Sequence, residues 1–345
     1  MKKILSLLFL VAAANIATAQ LQLNGAGATF PYVIYSKWFD EYQKKTGVQF
    51  NYQSIGSGGG IKQVIEGTVD FGATDGPMTD EQLVEAKTKQ GTDVMHIPTV
   101  MGAVVATYNV PEIGSDLKLT PDALVNIFLG KITKWNDAKI AASNKGKNLP
   151  DKSIVVVHRS DGSGTTYIFV DYLSKVSEEW KSNVGVGTSV KWPVGLGGKG
   201  NEGVAGQVKQ IEGSIGYVEL AYAVKNNLPY AALKNKAGNF IVPSLESVTA
   251  AAMNEAKKMP EDLRVSITDA SGKDSYPISG FTWLLVYKDQ KNVTKAKAMV
   301  NFLKWAFEEG EAFAPSLYYA PLPKEVIKLN EKKIAAIRYN GKPVK

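Results

Sequence analysis

Cysteine is absent from the chain, which removes disulfide bridges, thiolate nucleophiles and the lipid-modified cysteine that would tether an exported protein to a membrane. Histidine is nearly absent. His96 and His158 are the only two, and neither sits in a spacing such as His-Glu-x-x-His, so each reads as an ordinary strand or loop residue and no metal is expected. No apolar run reaches the roughly 20 residues that cross a bilayer, so the chain is not expected to be membrane-embedded. Basic clusters interleaved with aromatics are missing too. The lysines are spread along the whole chain, which argues against a nucleic-acid partner. Internal repeats and low-complexity linkers are likewise lacking.

What is present begins with an address. Met1, Lys2 and Lys3 form a positive start, Ile4 to Ala14 an apolar stretch, and Ala17-Thr18-Ala19 a small-residue cleavage site. Residues 1–19 therefore read as a secretory signal peptide cleaved after Ala19. The expected compartment is extracytoplasmic, and with no cysteine a bacterial periplasm fits best. Cleavage leaves about 326 residues (345 − 19), more than one hydrophobic core usually holds, so two lobes are expected. The formal charge of +7 falls to about +5 with Lys2 and Lys3 gone, a mild bias toward anions.

Hydrophobic periodicity predicts alternating strands and helices. Tyr32, Tyr35, Phe39 and Tyr42 recur at helical spacing, after which Val48, Phe50 and Tyr52 alternate as in a strand. Ile61, Val64 and Ile65 share a helical face, and Val69 and Phe71 follow in a short strand. Thr79 with Gln82 forms a capping box before the helix with Leu83 and Ala86. Thr120 with Pro121 opens the helix carrying Leu124, Ile127 and Phe128. Ile154 to Val157 is a β-branched run suited to a strand buried on both faces. The expected fold class is α/β, with mixed, mainly parallel sheets flanked by helices. Without a linker, the chain is expected to cross between lobes on strands, outward at Val100 to Tyr108 and back at Phe281 to Tyr287. Lobe 1 is then residues 20–104 plus 281–345, including a late helix with Ala296, Val300, Leu303 and Phe307, and lobe 2 is residues 105–280.

The chemistry lies in three glycine-bearing segments at predicted helix starts. They are Gly25-Ala26-Gly27-Ala28-Thr29-Phe30-Pro31, Gly56-Ser57-Gly58-Gly59-Gly60 and Arg159-Ser160-Asp161-Gly162-Ser163-Gly164-Thr165. Each alone is a tight turn with an N-cap. Three together suggest an anion site, because the first N–H groups of a helix are unpaired and its dipole is positive there. In an open α/β sheet such starts gather beyond the carboxyl ends of the strands. Arg159 adds a fork suited to tetrahedral oxyanions, with Asp161 placed to orient it; a surface ion pair is the alternative for these two. Asp75 ends another strand, and a carboxylate beside a bound anion is repulsive unless the anion carries a proton to donate. Phosphate near neutral pH has one and sulfate has none, so Asp75 would select phosphate. Asp75 serves equally well as a turn residue before the Thr79 helix.

The Thr29-Phe30-Pro31 turn, the Gly56–Gly60 loop, Asp70-Phe71-Gly72-Ala73 leading to Asp75, and Asp161-Gly162-Ser163-Gly164-Thr165 stand in one order. Trp192-Pro193 before Gly195-Leu196-Gly197-Gly198-Lys199-Gly200-Asn201 and the stretch Gly213 to Glu219 continue it. From about Leu23 to Tyr230, and again from Phe281 to about Pro323, the chain resembles the phosphate-binding proteins of bacterial ABC phosphate transporters. The resemblance implies a type II periplasmic-binding-protein fold with two hinged lobes. It also implies a monomer that takes inorganic phosphate, uses no cofactor and catalyses nothing, and an inner-membrane ABC permease complex as its partner. The ligand residues it implies are Ala28, Thr29, Phe30, Ser57, Asp75, Arg159, Ser163, Gly164 and Thr165, with Asp161 as the partner of Arg159. The N–H groups of Phe30, Gly164 and Thr165 and the hydroxyls of Thr29, Ser57, Ser163 and Thr165 would donate, while Asp75 accepts the ligand's proton. Thr74 stands where the family more often has Ser, and His158 where a second Arg is frequent. Residues 234–275 match poorly and carry nothing over.

Two rivals belong to other classes. Gly195 to Gly200 formally fits the dinucleotide pattern Gly-x-Gly-x-x-Gly, with Glu219 near the expected acidic position, but it follows Trp192-Pro193 rather than a clear strand. A Walker A reading fails because Pro193 stands where Gly is required and Gly200 follows Lys199 where Ser or Thr should be. An exported phosphatase using Ser163 would need metals or a general base, for which His158 is the only nearby histidine.

Overall fold

The structure is a computed structural model that describes residues 20–256 and 259–344; the predicted signal peptide lies outside the described residues. From the N-terminus come β1 (Gln22–Gly27), α1 (Tyr32–Thr46), β2 (Gln49–Ser54), α2 (Ser57–Glu66), β3 (Phe71–Thr74), α3 (Asp80–Gln90) and β4 (Val94–Asn109). There follow β5 (Lys118–Leu119), α4 (Pro121–Phe128), α5 (Ala138–Ala141), β6 (Val155–Arg159), α6 (Gly164–Val176), α7 (Glu178–Asn183), β7 (Leu196–Gly198), α8 (Gly200–Gln210), β8 (Ser214–Glu219) and α9 (Leu220–Lys225). The chain ends through β9 (Ala232–Lys234), β10 (Phe240–Ile241), α10 (Leu245–Ala256), β11 (Ser279–Tyr287), α11 (Val293–Glu308) and α12 (Lys324–Ala335). Among the described residues no helix is long and apolar enough to cross a membrane.

Eight strands hydrogen-bond in the order β2-β1-β3-β11-β4-β8-β6-β7. The flanks are parallel: β1 with β2 and β3, and β6 with β8 and β7. The middle is antiparallel, so the sheet is mixed, as expected. β11 runs against β3 and against the Val94–Ala103 part of β4, whose remainder, Val104–Asn109, runs against β8. The reason is topological, since one strand leaves the first flank and another returns to it. The outgoing strand is longer than the predicted Val100 to Tyr108: it begins at Val94 and runs through Pro98. Its register against β11 shifts between Thr282 and Trp283, and an irregularity of this kind tolerates the missing N–H of a proline. Val48 and Val69 fall just outside β2 and β3.

Local signals explain the helix starts. Thr79 and Gln82 form the expected reciprocal capping box on α3, and Thr120 caps α4 with Pro121 in its first turn. α1 buries Ile34, Tyr35, Trp38, Phe39 and Tyr42 against an aromatic cluster in which the Phe39 and Phe50 rings stack 4.9 Å apart. A smaller cluster of Ile61, Val64, Ile65, Met78, Ala86, Val94 and Leu285 holds α2 and α3 on the outer side of the sheet. Packing on both faces leaves the strand ends and their loops as the place where polar groups can converge.

Candidate functional site

Because β1, β2 and β3 are parallel neighbours, the loops that follow them lie side by side. The N–H groups of Ile55 and Gly56 both donate to the Gly27 carbonyl, at 3.0 and 2.8 Å, which seats the second glycine loop on the first. The loop after β6 approaches from the other flank, and Gly58 N donates to the Gly162 carbonyl at 2.9 Å. Glycine is required by this approach. A Cβ on Gly164 would stand 2.4 Å from Ser57 Oγ and 2.5 Å from Asp75 Oδ2, and one on Gly56 would stand 2.3 Å from Asp161 Oδ2. Gly56 also holds a φ of 87°, where a side chain is strained.

Arg159 is the buried cation of this convergence, with a side chain only 1% exposed. Its Nε donates to Asp161 Oδ1 at 2.8 Å and its Nη2 to Asp161 Oδ2 at 2.6 Å, a fork-to-carboxylate pair of the strong, geometrically fixed kind. Nη1 donates to Thr165 Oγ1 at 3.2 Å, and the backbone N–H of Arg159 donates to the Tyr217 hydroxyl at 3.1 Å. Burial opposes ionisation of Asp161, but the Arg159 bonds and charge and the Gly200 N–H outweigh it and hold the carboxyl below its ordinary range. The surface-pair alternative for Arg159 and Asp161 is thereby replaced by a buried clamp.

Asp75 is the contrasting carboxylate. Oδ1 accepts from Thr282 Oγ1 at 2.8 Å, whereas Oδ2 is buried with no hydrogen-bond partner among the described residues. Burial pushes its pKa up to about 7, against the opposing pull of Thr282, Arg159 and Ser57. An unpaired buried oxygen costs roughly 1–3 kcal/mol, so a group that satisfies it gains that much. The backbone at this turn is pinned: Asp75 N donates to Ser57 Oγ at 3.1 Å and Met78 N to His96 Nε2 at 3.0 Å. Burial drives the pKa of His96 down to about 3, so its ring is neutral and Nε2 is free to accept.

Between the two sides stands Asn201, fully buried at the start of α8. Its Nδ2 donates to Thr29 Oγ1 at 2.7 Å and to Thr165 Oγ1 at 3.0 Å. The first N–H groups of α8 are already engaged, Gly200 N with Asp161 Oδ1 at 3.0 Å and Asn201 N with Thr29 Oγ1 at 3.3 Å. The dinucleotide rival needs that helix start for a pyrophosphate, and here Asp161 and Thr29 occupy it. Leu196–Gly198 does form a short strand beside β6, so the context of that motif is closer to strand–turn–helix than the sequence suggested. Glu219 lies inside, its Oε2 capping α9 through Ala221 N at 2.8 Å, and burial raises its pKa well above the ordinary value.

The structure brings Thr29, Ser57, Asp75, Arg159, Ser163, Gly164, Thr165 and Asp161 into this one region. Ser163 caps α6 by accepting from Thr166 N at 3.0 Å, which leaves its hydrogen free to donate. Phe30 enters the core, and its carbonyl accepts from the Tyr319 hydroxyl at 2.6 Å. Ala28 adjoins the same region. Its N–H donates to the Ala73 carbonyl at 2.9 Å and its carbonyl accepts from the Tyr52 hydroxyl at 2.8 Å, so its one donor is already engaged. Sequence reasoning missed Thr282, Tyr217 and the role of Asn201. Thr282 looked like one more β-branched strand residue, and nothing in its neighbourhood signals Asp75. His158 is no base for Ser163: its ring stacks on Trp192 at 4.8 Å and its Nδ1 pairs with the Arg159 carbonyl at 2.9 Å.

A sheet of this order, crossed by two long strands and carrying a convergence of buried donors, is an α/β fold of the periplasmic-binding-protein type, and the family model of the PBP superfamily domain matches residues 12–309. The chain is 49% identical over 327 residues to the phosphate-binding protein PstS of Pasteurella multocida, covering 94% of this chain and 93% of that protein. It is 41% identical over 339 residues to that of Methanocaldococcus jannaschii, covering 92% and 86%. The chain belongs to the PstS family of the PBP superfamily. Among solved structures it is similar to the high affinity periplasmic phosphate-binding protein PfluDING bound with phosphate, with a TM-score of 0.73 at 22% identity over 93% of this chain and 97% of that one. It is also similar to the phosphate binding protein of Stenotrophomonas maltophilia, with a TM-score of 0.68 at 20% identity over 93% and 96%. These two likenesses concern the fold.

Proposed function

We propose that this protein binds inorganic phosphate in the periplasm, in a cleft between two lobes, and delivers it to an inner-membrane ABC permease complex, without catalysing a reaction. The observation that carries the reading is the pairing of opposites at one point: a buried Arg159 already neutralised by Asp161, facing a buried Asp75 whose Oδ2 lacks a donor. A dianion that still holds one proton suits both sides, since its proton goes to Asp75 and its bare oxygens face the donors. The names of the relatives support the same ligand.

The ligand groups of this reading are the hydroxyls of Thr29, Ser57, Ser163 and Thr165, the N–H groups of Phe30, Gly164 and Thr165, the Arg159 fork and the Asp75 acceptor. Residues 20–104 with 281–345 would form one lobe and residues 105–280 the other, with β4 and β11 as the crossings. An anion bridging them favours the closed arrangement, and exclusion of water strengthens every charge-assisted bond. Release to the permease requires that opening remain accessible.

The test is calorimetric titration of phosphate, then sulfate, into mature protein unfolded, dialysed and refolded to strip bound ligand. One-to-one phosphate binding with silent sulfate is expected. Comparable sulfate binding would remove Asp75 from the ligand, and silence with both anions would sink the reading.

A further inference from the structure

Asn201 is fully buried and its amide has one possible orientation. Its Oδ1 accepts from the Glu219 backbone N–H at 2.9 Å, and a backbone N–H can only donate, so Nδ2 must be the group that faces the threonines. Thr29 Oγ1 thus receives two bonds, from Asn201 Nδ2 at 2.7 Å and Asn201 N at 3.3 Å. Thr165 Oγ1 also receives two, from Asn201 Nδ2 at 3.0 Å and Arg159 Nη1 at 3.2 Å. A hydroxyl has two lone pairs and one hydrogen. With both lone pairs engaged, each threonine can only donate, and its hydrogen must point away from Asn201.

Building on the phosphate reading above, we infer that Asn201 is a positioning residue that locks the Thr29 and Thr165 hydroxyls as donors toward the anion. That rim of the site then offers hydrogens alone, so a proton carried by the anion finds no acceptor at Thr29 or Thr165 and is directed to the Asp75 carboxylate. Free threonine hydroxyls could turn to accept, and discrimination by Asp75 would be blurred. The same amide joins Thr29, in the loop after β1, to Thr165, on α6, so one side chain sets hydroxyl direction on both flanks of the sheet.

The experiment is a double-mutant cycle on the ligand-stripped full-length mature chain, read as phosphate Kd by calorimetry. Asn201→Ala should weaken phosphate roughly 10-fold or more, as loss of an orienting partner does elsewhere. In the Thr29→Val/Thr165→Val background the same change should alter Kd less than about twofold, because the hydroxyls it orients are gone. Equal losses in both backgrounds would overturn the inference. Asn201→Asp covers the chance that the alanine variant does not fold, since it retains an oxygen for Glu219 N while accepting from the threonines instead of donating to them. It should bind phosphate at least as weakly as the alanine variant, whereas wild-type affinity would reduce Asn201 to a structural tie. If unaltered protein fails to bind phosphate, the functional reading itself falls; binding with additive losses removes only the role of Asn201.

Discussion

The site sets a half-buried carboxylate, Asp161, against a fully buried one, Asp75. Asp161, on the Arg159 side, receives a two-point fork and a backbone N–H and is held ionised below its ordinary range. Asp75, on the opposite side, has one oxygen bonded to Thr282 and one unpartnered, and burial lifts its pKa to about 7. The residue type and compartment are the same, but the chemistry is opposite, because what differs is the partner supplied by the fold. A carboxylate with its own cation fixes charge and geometry. One without a cation reads whether its neighbour brings a proton.

Breaking the Asp161 half should have the largest effect. Arg159→Met removes the only positive charge among the proposed ligand groups and strands Asp161 with Gly200 N. Leaving one member of a buried pair uncompensated costs about 3–5 kcal/mol, so urea denaturation should show a loss of that order. Calorimetry should show phosphate binding fall by roughly three orders of magnitude or vanish. The double variant Arg159→Met/Asp161→Leu sharpens the point. It should regain much of the stability and none of the binding, separating the fold's use of the pair from the ligand's.

Breaking the Asp75 half should act in the opposite direction on stability. The folded-state pKa of about 7 lies above the ordinary 3.8, so folding takes up a proton. Stability is then undiminished below 3.8, declines as pH rises from 3.8 to about 7, and stays low above that. Asp75→Asn removes the penalty. Ligand-free protein at pH 8 should gain roughly 1–3 kcal/mol, with little gain at pH 4. The same variant should bind sulfate more nearly as it binds phosphate. Parallel stability curves for the variant and the parent from pH 4 to 8 would show that its surroundings do not penalise ionisation of Asp75.

Much of this contrast could be read in the sequence, and the unreadable part has a common cause. The glycine loops, the Thr79 and Thr120 caps and the Arg159–Asp161 spacing are local signals, carried by residues two or three apart. The bonds that decide the roles are not local. Thr282 reaches Asp75 across 207 positions and Asn201 reaches Thr29 across 172; no periodicity records such meetings. Pro98 hid the first half of β4 because a proline argues against a central strand unless a register shift receives it. Which strands pair antiparallel at the centre of the sheet was hidden for the same reason as Thr282, since the pairing of β4 with β11 is a tertiary fact.

Residues 259–278 are the remaining such case, and they yield the smallest expected effect. Arg264 donates through Nη1 to the Met78 carbonyl at 2.8 Å and through Nη2 to Asp80 Oδ1 at 2.7 Å, while Asp262 orients its Nε at 2.8 Å. It therefore straps this segment to the turn that begins at Asp75. The strap is partly open to water, with side-chain exposures of 21% for Arg264 and 80% for Asp80, so solvent and salt screen it. Asp75 itself is held from elsewhere, by Ser57 Oγ and Thr282 Oγ1. Arg264→Leu should accordingly cost about 1 kcal/mol of stability or less, more at low than at high ionic strength. It should move phosphate Kd by less than about threefold. A loss of binding comparable with that of Arg159→Met would mean that the turn, and not the carboxylate's own partners, holds Asp75 in place. The contrast between the two carboxylates would then depend on backbone anchoring as much as on paired charge.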